Sequence, residues 1–127
     1  DGKKISESCT CYHIEKRIND VERFLAGYNQ GNTLKQIDPT ATIIATTRCL
    51  PGIGPWTTFY SGFKTLEPEI QDGIRVHENV HRQQCEDFGW ERFLSLSMEK
   101  EYVIEIPAYE TERSFLNSKF TEECGSK

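Results

Sequence analysis

The chain has 127 residues, of which 36% are hydrophobic and 28% charged, and its formal net charge is −5. This length suits one domain with one core, and no apolar run approaches the roughly 20 residues that a membrane span requires. A negative charge without a lysine- or arginine-rich block argues against nucleic acid as a partner. We therefore expect a single domain over residues 1–127 that binds neither nucleic acid nor membrane.

The chain begins at Asp1, and its first residues, DGKKISESCTCYH, lack the apolar centre of a signal peptide. A removed signal peptide, an arbitrary boundary and a larger upstream protein all remain open. One expectation is therefore that the domain is the C-terminal part of a larger protein, with an upstream delivery domain.

The five cysteines, at positions 9, 11, 49, 85 and 124, are scattered along the chain without CxxC spacing. A thiolate zinc site is therefore a poor interpretation, and disulfide bonds with one thiol left over are a better one. Buried free thiols are the alternative, because cysteine also packs as a small hydrophobic residue. Disulfides would place the protein in a secreted or periplasmic, extracytoplasmic location.

Three helices and one hairpin are predicted from the spacing of apolar residues. Residues 12–29 form an amphipathic helix that ends before Gly31. Residues 41–49 and 56–60, ATIIATTRC and WTTFY, form two strands around PGIGP. A second helix carries VHENVHRQQ and ends at Gly89. A third spans residues 97–120, with a kink or break near Ile106 caused by Pro107. Its inward stripe is predicted to contain Met98, Tyr102, Glu105, Tyr109, Glu112, Leu116 and Phe120.

The predicted fold class is thus α+β, mainly helical with a small β-sheet or hairpin, and with the second helix packed against the third. The motif HENVH places His77 and His81 one helical turn apart, so that both imidazoles can bind one ion. Glu78 projects beside them, where it can accept a proton from water without being a ligand. Both histidines also share a stripe with apolar residues, and polar groups on a buried face need partners.

The third ligand is predicted to come from the third helix. Glu105 lies on its inward stripe, and two histidines with one acid form the open three-ligand site of catalytic zinc. Glu101, twenty residues after His81, is the alternative. Gln84 is either a partner of the metal-binding histidines or a surface residue.

HENVH followed by EIPAYETE resembles the zincin metallopeptidases, in particular the gluzincins, in which an ExxA or ExxxD helix supplies the third ligand. It is also similar to small bacterial HExxH domains that act as toxin or effector modules. The resemblance covers about residues 75–116 and implies a minimal zincin-like fold and a zinc cofactor. It favours Glu105 over Glu101, because Ala108 matches the small residue of ExxA.

The activity implied is zinc-dependent hydrolysis of a peptide bond in a protein or in peptidoglycan, with Glu78 as the base. A donor for the developing oxyanion is also needed, and Tyr109, Tyr102 and His13 are candidates, with Tyr109 preferred. WTTFY is a candidate edge strand for a peptide substrate. An inhibitor or immunity protein would be a further partner.

Two hypotheses from other classes remain beside the zinc peptidase. The chain could be a metal-stabilised binding or interaction domain without catalytic activity, although such a domain has no use for Glu78. It could also be a disulfide-stabilised structural domain without metal.

Overall fold

The computed structural model describes residues 9–125, which form a mainly helical α+β fold, as predicted. The residues before Cys9, including the start of the chain discussed above, lie outside the described part. In chain order the elements are α1 (Cys9–Asn29), α2 (Leu34–Ile37), β1 (Ala45–Leu50), β2 (Gly54–Phe59), the 3-10 helix Ser61–Thr65, α3 (Pro68–Phe88), α4 (Trp90–Glu99) and α5 (Glu101–Cys124).

Helix α5 is the centre of the fold and packs against both α1 and α3. The apolar stripe of α1 is buried along its length, as the spacing of its apolar residues predicted. The first half of this stripe forms one cluster with residues of α3 and α5. The second half forms another cluster with Tyr109 of α5. These clusters hold α5 against both helices, and side chains of α5 such as Tyr109 contact α1 and α3 together.

The hairpin of β1 and β2 is antiparallel, with Ala45 opposite Phe59 and Leu50 opposite Gly54. Both predicted strands are therefore present, although β1 begins four residues later than the predicted segment 41–49. The sheet has only these two strands among the described residues, and both strands contact α3. One edge of β1 is consequently not paired with another strand.

Helices α3 and α5 approach closely at Gly73. A Cβ atom at this position would lie 2.9 Å from Cδ2 of Leu116, which is closer than van der Waals contact allows. Ala108 is also completely buried on α5. The absence of a side chain at Gly73 thus allows α3 and α5 to approach closely at this point.

The third predicted helix is two helices, and the predicted position of its break was wrong. The chain leaves helical geometry at Lys100, with φ −141° and ψ 61°, whereas α5 continues without interruption through Pro107. Proline removes one backbone donor, but the packing of α5 on two neighbouring helices offsets the loss of that single hydrogen bond. Met98 lies on α4 and is 75% exposed, so it does not belong to the inward stripe.

Two disulfide bonds join distant parts of the chain. Cys11–Cys124 connects the start of α1 to the end of α5, and Cys49–Cys85 connects β1 to α3. Cys9 is exposed and takes part in neither bond. The predicted pattern of two bonds and one remaining thiol is thus present, and it is compatible with an extracytoplasmic location. Among residues 9–125, no helix is long and apolar enough to cross a membrane.

Candidate metal centre

His77, His81 and Glu105 meet between α3 and α5. The Nε2 atoms of the two histidines are 3.1 Å apart, and Oε1 of Glu105 lies 3.2 Å from each of them. Both histidines are buried, at 6% and 4% exposure. The structure thus brings the three predicted ligand side chains to one point, with three polar atoms at nearly equal separations.

These separations suit a tetrahedral metal ion. Zinc bonds to nitrogen and oxygen of 2.0–2.1 Å give ligand-to-ligand distances of about 3.3–3.4 Å in a tetrahedron. The observed 3.1 and 3.2 Å are slightly shorter than these distances. The three atoms therefore need only a small outward movement to surround a zinc ion.

The outer nitrogens of the two histidines are held by acceptors. Nδ1 of His77 is 3.1 Å from Oε1 of Glu112, and Nδ1 of His81 is 2.9 Å from Oε1 of Gln84. The amide of Gln84 is itself oriented, because its Nε2 donates to the carbonyl of Ile104 at 3.0 Å. Nδ1 therefore carries the proton when either imidazole is neutral, and Nε2 presents its lone pair to the shared point.

Arg17 extends this arrangement to α1. Its Nε and Nη2 atoms donate to the two carboxylate oxygens of Glu112 at 2.7 and 3.1 Å. Glu112 is completely buried, so the guanidinium supplies the charge partner that a buried carboxylate requires. The sequence interpretation placed Glu112 on the inward stripe but found neither its contact with His77 nor the role of Arg17.

The two carboxylates strongly favour positive charge at this point. Burial lowers the pKa of His77, but its hydrogen bonds with Glu105 and Glu112 outweigh burial and raise that pKa to about 10. Burial lowers the pKa of His81 too, but the charge and hydrogen bond of Glu105 outweigh burial and raise it. Burial raises the pKa of Glu105, yet the neighbouring His81 and His77 hold it well below its usual range. A divalent cation would take the place of the protons on these imidazoles.

Glu78 lies beside the two histidines on α3. It is 5% exposed, and its Oε1 accepts a 2.7 Å hydrogen bond from Oγ1 of Thr47 on β1. The candidate ligand atoms of His77, Glu78 and His81 all lie within 4.8 Å of one another. This buried group could bind a metal ion. The carboxylate of Glu105 lies close to the same two histidines, with Oε1 at 3.2 Å from each Nε2 atom.

A cavity of about 340 Å³ opens above these side chains. Its lining includes His77, Glu78, His81 and Glu105, and the segment 41–47 runs along one side. The proposed edge strand WTTFY does not line this cavity. Strand β1 lies on this side of the hairpin, while Thr57 and Phe59 of β2 line a second, smaller cavity together with Glu78.

Of the three candidate oxyanion donors, one lies at the cavity and two lie elsewhere. Tyr109 lines the cavity, and its ring centroid lies 4.3 Å from that of His77. Burial raises its pKa further above the usual value for tyrosine. Tyr102 is half-buried beside the cluster at the end of α1, and His13 pairs with Glu67; neither lines the cavity.

Glu101, the alternative ligand, has other partners. Its Oε2 accepts hydrogen bonds from the hydroxyl of Tyr28 at 2.5 Å and from the backbone N–H of Leu34 at 3.1 Å. It therefore connects α5 to the ends of α1 and α2, while Glu105, one turn further along α5, contacts the histidines.

Comparisons with known proteins find no family model, no curated protein and no solved structure that matches this chain. The resemblance to zincins therefore stays a prediction from the sequence motif.

Proposed function

We propose that this chain is a zinc-dependent hydrolase of peptide bonds in proteins or peptidoglycan. The observation that carries the proposal is the convergence of Nε2 of His77, Nε2 of His81 and Oε1 of Glu105 at 3.1–3.2 Å. Three protein ligands leave a fourth coordination position open, as in catalytic zinc sites. We assign Glu105 rather than Glu78 as the third ligand, because its oxygen is the closer one and Thr47 already occupies Oε1 of Glu78.

Glu78 is the proposed general base. A bound zinc ion would lower the pKa of water to about 7 and polarise the scissile carbonyl. Oε2 of Glu78 would accept the proton of the attacking water and then deliver it to the leaving amine. Because Oε1 accepts from Thr47, the second oxygen remains available for this proton. Such a base has no purpose in a purely structural metal site.

Tyr109 is the proposed donor to the developing oxyanion. Its ring packs against His77, and it lines the cavity that would hold the substrate. Because its pKa is raised, the phenol keeps its proton across the physiological pH range and can act as a hydrogen-bond donor.

The cavity suits an extended peptide. The segment 41–47 borders it, and β1 has one unpaired edge among the described residues. A substrate strand could therefore add to this edge by backbone hydrogen bonds. We further propose that the protein acts in a secreted or periplasmic location, as a bacterial effector or toxin domain. An upstream delivery domain and an inhibitor or immunity protein would be its partners.

Metal content and peptide cleavage test this proposal. The purified protein should contain or take up about one zinc ion per chain, and it should cleave members of a peptide library followed by mass spectrometry. Glu78→Gln should abolish cleavage and retain zinc, whereas Glu86→Gln, at an exposed position on the same helix, should retain both. Zinc binding without any cleavage would instead support the metal-stabilised binding domain. A protein that neither contains nor takes up metal would refute both.

A further inference from the structure

Glu78 stands at the end of a chain of hydrogen bonds that crosses the hairpin. Nη1 of Arg82 on α3 donates to Oγ1 of Thr57 on β2 at 3.1 Å. The hydroxyls of Thr57 and Thr47 are 2.8 Å apart on adjacent strands, and Thr47 then contacts Glu78 at 2.7 Å. The two threonines are direct partners in the strand register.

The direction of every hydrogen bond in this chain is determined by its two ends. Arginine can only donate, and an ionised carboxylate can only accept. The hydroxyl proton of Thr47 must therefore point to Glu78, and the hydroxyl proton of Thr57 must point to Thr47. Each hydroxyl proton therefore has one orientation within this chain, and the carboxylate of Glu78 is held from one side by an oriented donor.

Such a restraint matters because Glu78 is within reach of the metal. Its candidate ligand atom lies within 4.8 Å of those of His77 and His81, and carboxylate oxygen is a common zinc ligand. Rotation of the side chain would turn the base into a ligand and occupy the position needed by water. A base that coordinates the metal cannot accept the proton of that water.

We propose that Thr47, Thr57 and Arg82 are positioning residues that keep Glu78 off the metal and available as a base. The role of Glu78 as a base rests on the proposed hydrolase function. The exclusion of Glu78 from the metal does not depend on catalysis and can be tested separately. The disulfide Cys49–Cys85 supports the same arrangement, because it joins β1 to α3 two residues from Thr47.

The test replaces zinc by cobalt(II), whose visible absorption spectrum depends on the number and the type of its ligands. Thr47→Val keeps the β-branched shape and removes the hydroxyl. We expect its cobalt spectrum to differ from that of the wild type, because Glu78 would take the position of water among the ligands. Thr47→Ser, which retains the donor, should keep the wild-type spectrum, and Glu78→Gln in the Thr47→Val background should restore it. Thr58→Val, a neighbouring strand residue outside the hydrogen-bond chain, is the matched control.

Hydrolysis supplies the second measurement. Loss of a hydrogen bond to a charged group corresponds to a fall in kcat of roughly 10- to 100-fold for Thr47→Val, with KM nearly unchanged. Thr57→Val should lower kcat less, because Thr47 remains as a donor whose rotor is no longer fixed. If Thr47→Val does not fold, Thr57→Val provides the same test with a smaller expected effect.

The outcomes separate the two proposals. If the cobalt spectrum changes as expected but the wild-type protein cleaves no peptide, the positioning of Glu78 stands and the hydrolase function fails. If peptide cleavage occurs and both valine variants leave the cobalt spectrum and kcat at wild-type values, the hydrolase function stands and the positioning role is overturned.

Discussion

Replacing Glu112 by glutamine tests how far the residues behind His77 control metal binding. The carboxylate accepts three hydrogen bonds, two from Arg17 and one from Nδ1 of His77. Glutamine has nearly the same volume but only one acceptor oxygen, so its NH2 group must face one of these donors. If that group faces His77, the imidazole proton is driven from Nδ1 to Nε2, where it blocks the lone pair that would bind zinc. If the amide oxygen faces His77 instead, Nδ1 keeps an acceptor but loses the negative charge that makes the imidazole a stronger zinc ligand.

The expected effect is large enough to measure. Loss of such a partner weakens metal binding by about 10- to 100-fold, which corresponds to about 1.4–2.7 kcal/mol. A second effect is on the stability of the fold, because the largely buried side chain of Arg17 loses its charge partner. Breaking a buried ion pair costs about 3–5 kcal/mol, so the free energy of unfolding should fall as well.

Competition with a chromophoric chelator of known zinc affinity measures the first effect, and urea denaturation followed by circular dichroism measures the second. Glu110→Gln is the matched control, because Glu110 is exposed on the same helix. Zinc affinity should be measured at a temperature where the variant is folded. A folded Glu112→Gln protein that binds zinc within twofold of wild type would refute this account of the site.

Three further predictions concern the ligands, the pH dependence and the disulfides. Glu105→Ala should lose most zinc affinity in chelator competition, whereas Glu101→Ala should retain it; the reverse result would make Glu101 the ligand. His77 has a pKa of about 10 without metal, above its ordinary 6.5. Its protonated form therefore stabilises the metal-free fold most fully below pH 6.5, and this contribution is lost as the pH rises through about 10. Zinc binding at pH 8 should accordingly release protons, detected by calorimetry in buffers of different ionisation enthalpy, and equal heats in those buffers would contradict this. Removing the Cys11–Cys124 bond by a Cys→Ala change at both positions should lower the free energy of unfolding by about 4.7 kcal/mol in the chain-entropy model, measured by urea denaturation; a change below 1 kcal/mol would oppose that model here.

Helices α1, α3 and α5 and the hairpin were predictable because their signals are local. The stripe of α1 and that of α3 each repeat over several turns, and β-branched residues mark both strands. Glycine also indicated the end of α3, where Gly89 has φ 82°. The break at Lys100 was missed because the spacing of three and four residues continues across it, from Met98 on α4 to Tyr102 on α5.

The inner part of the candidate site was predictable for a similar reason. His77, Glu78 and His81 lie within five residues, so helical geometry alone relates them. Their supporting contacts are tertiary: Arg17 meets Glu112 across 95 positions, and Thr47 meets Glu78 across 31. No local pattern specifies which arginine or threonine will arrive at these points, since that depends on how α1 and the hairpin pack on the rest of the fold.

The two disulfides form nested covalent rings, and the site is divided between them. The inner ring, closed by Cys49–Cys85, contains His77 and His81, while Glu105 lies beyond it and inside the outer ring closed by Cys11–Cys124. In an unfolded but oxidised chain, the inner ring would therefore still hold both histidines, but the carboxylate of Glu105 would not be held near them. Tight zinc capture would then require α5 to be docked on α3, so metal uptake would report completed folding rather than oxidation alone.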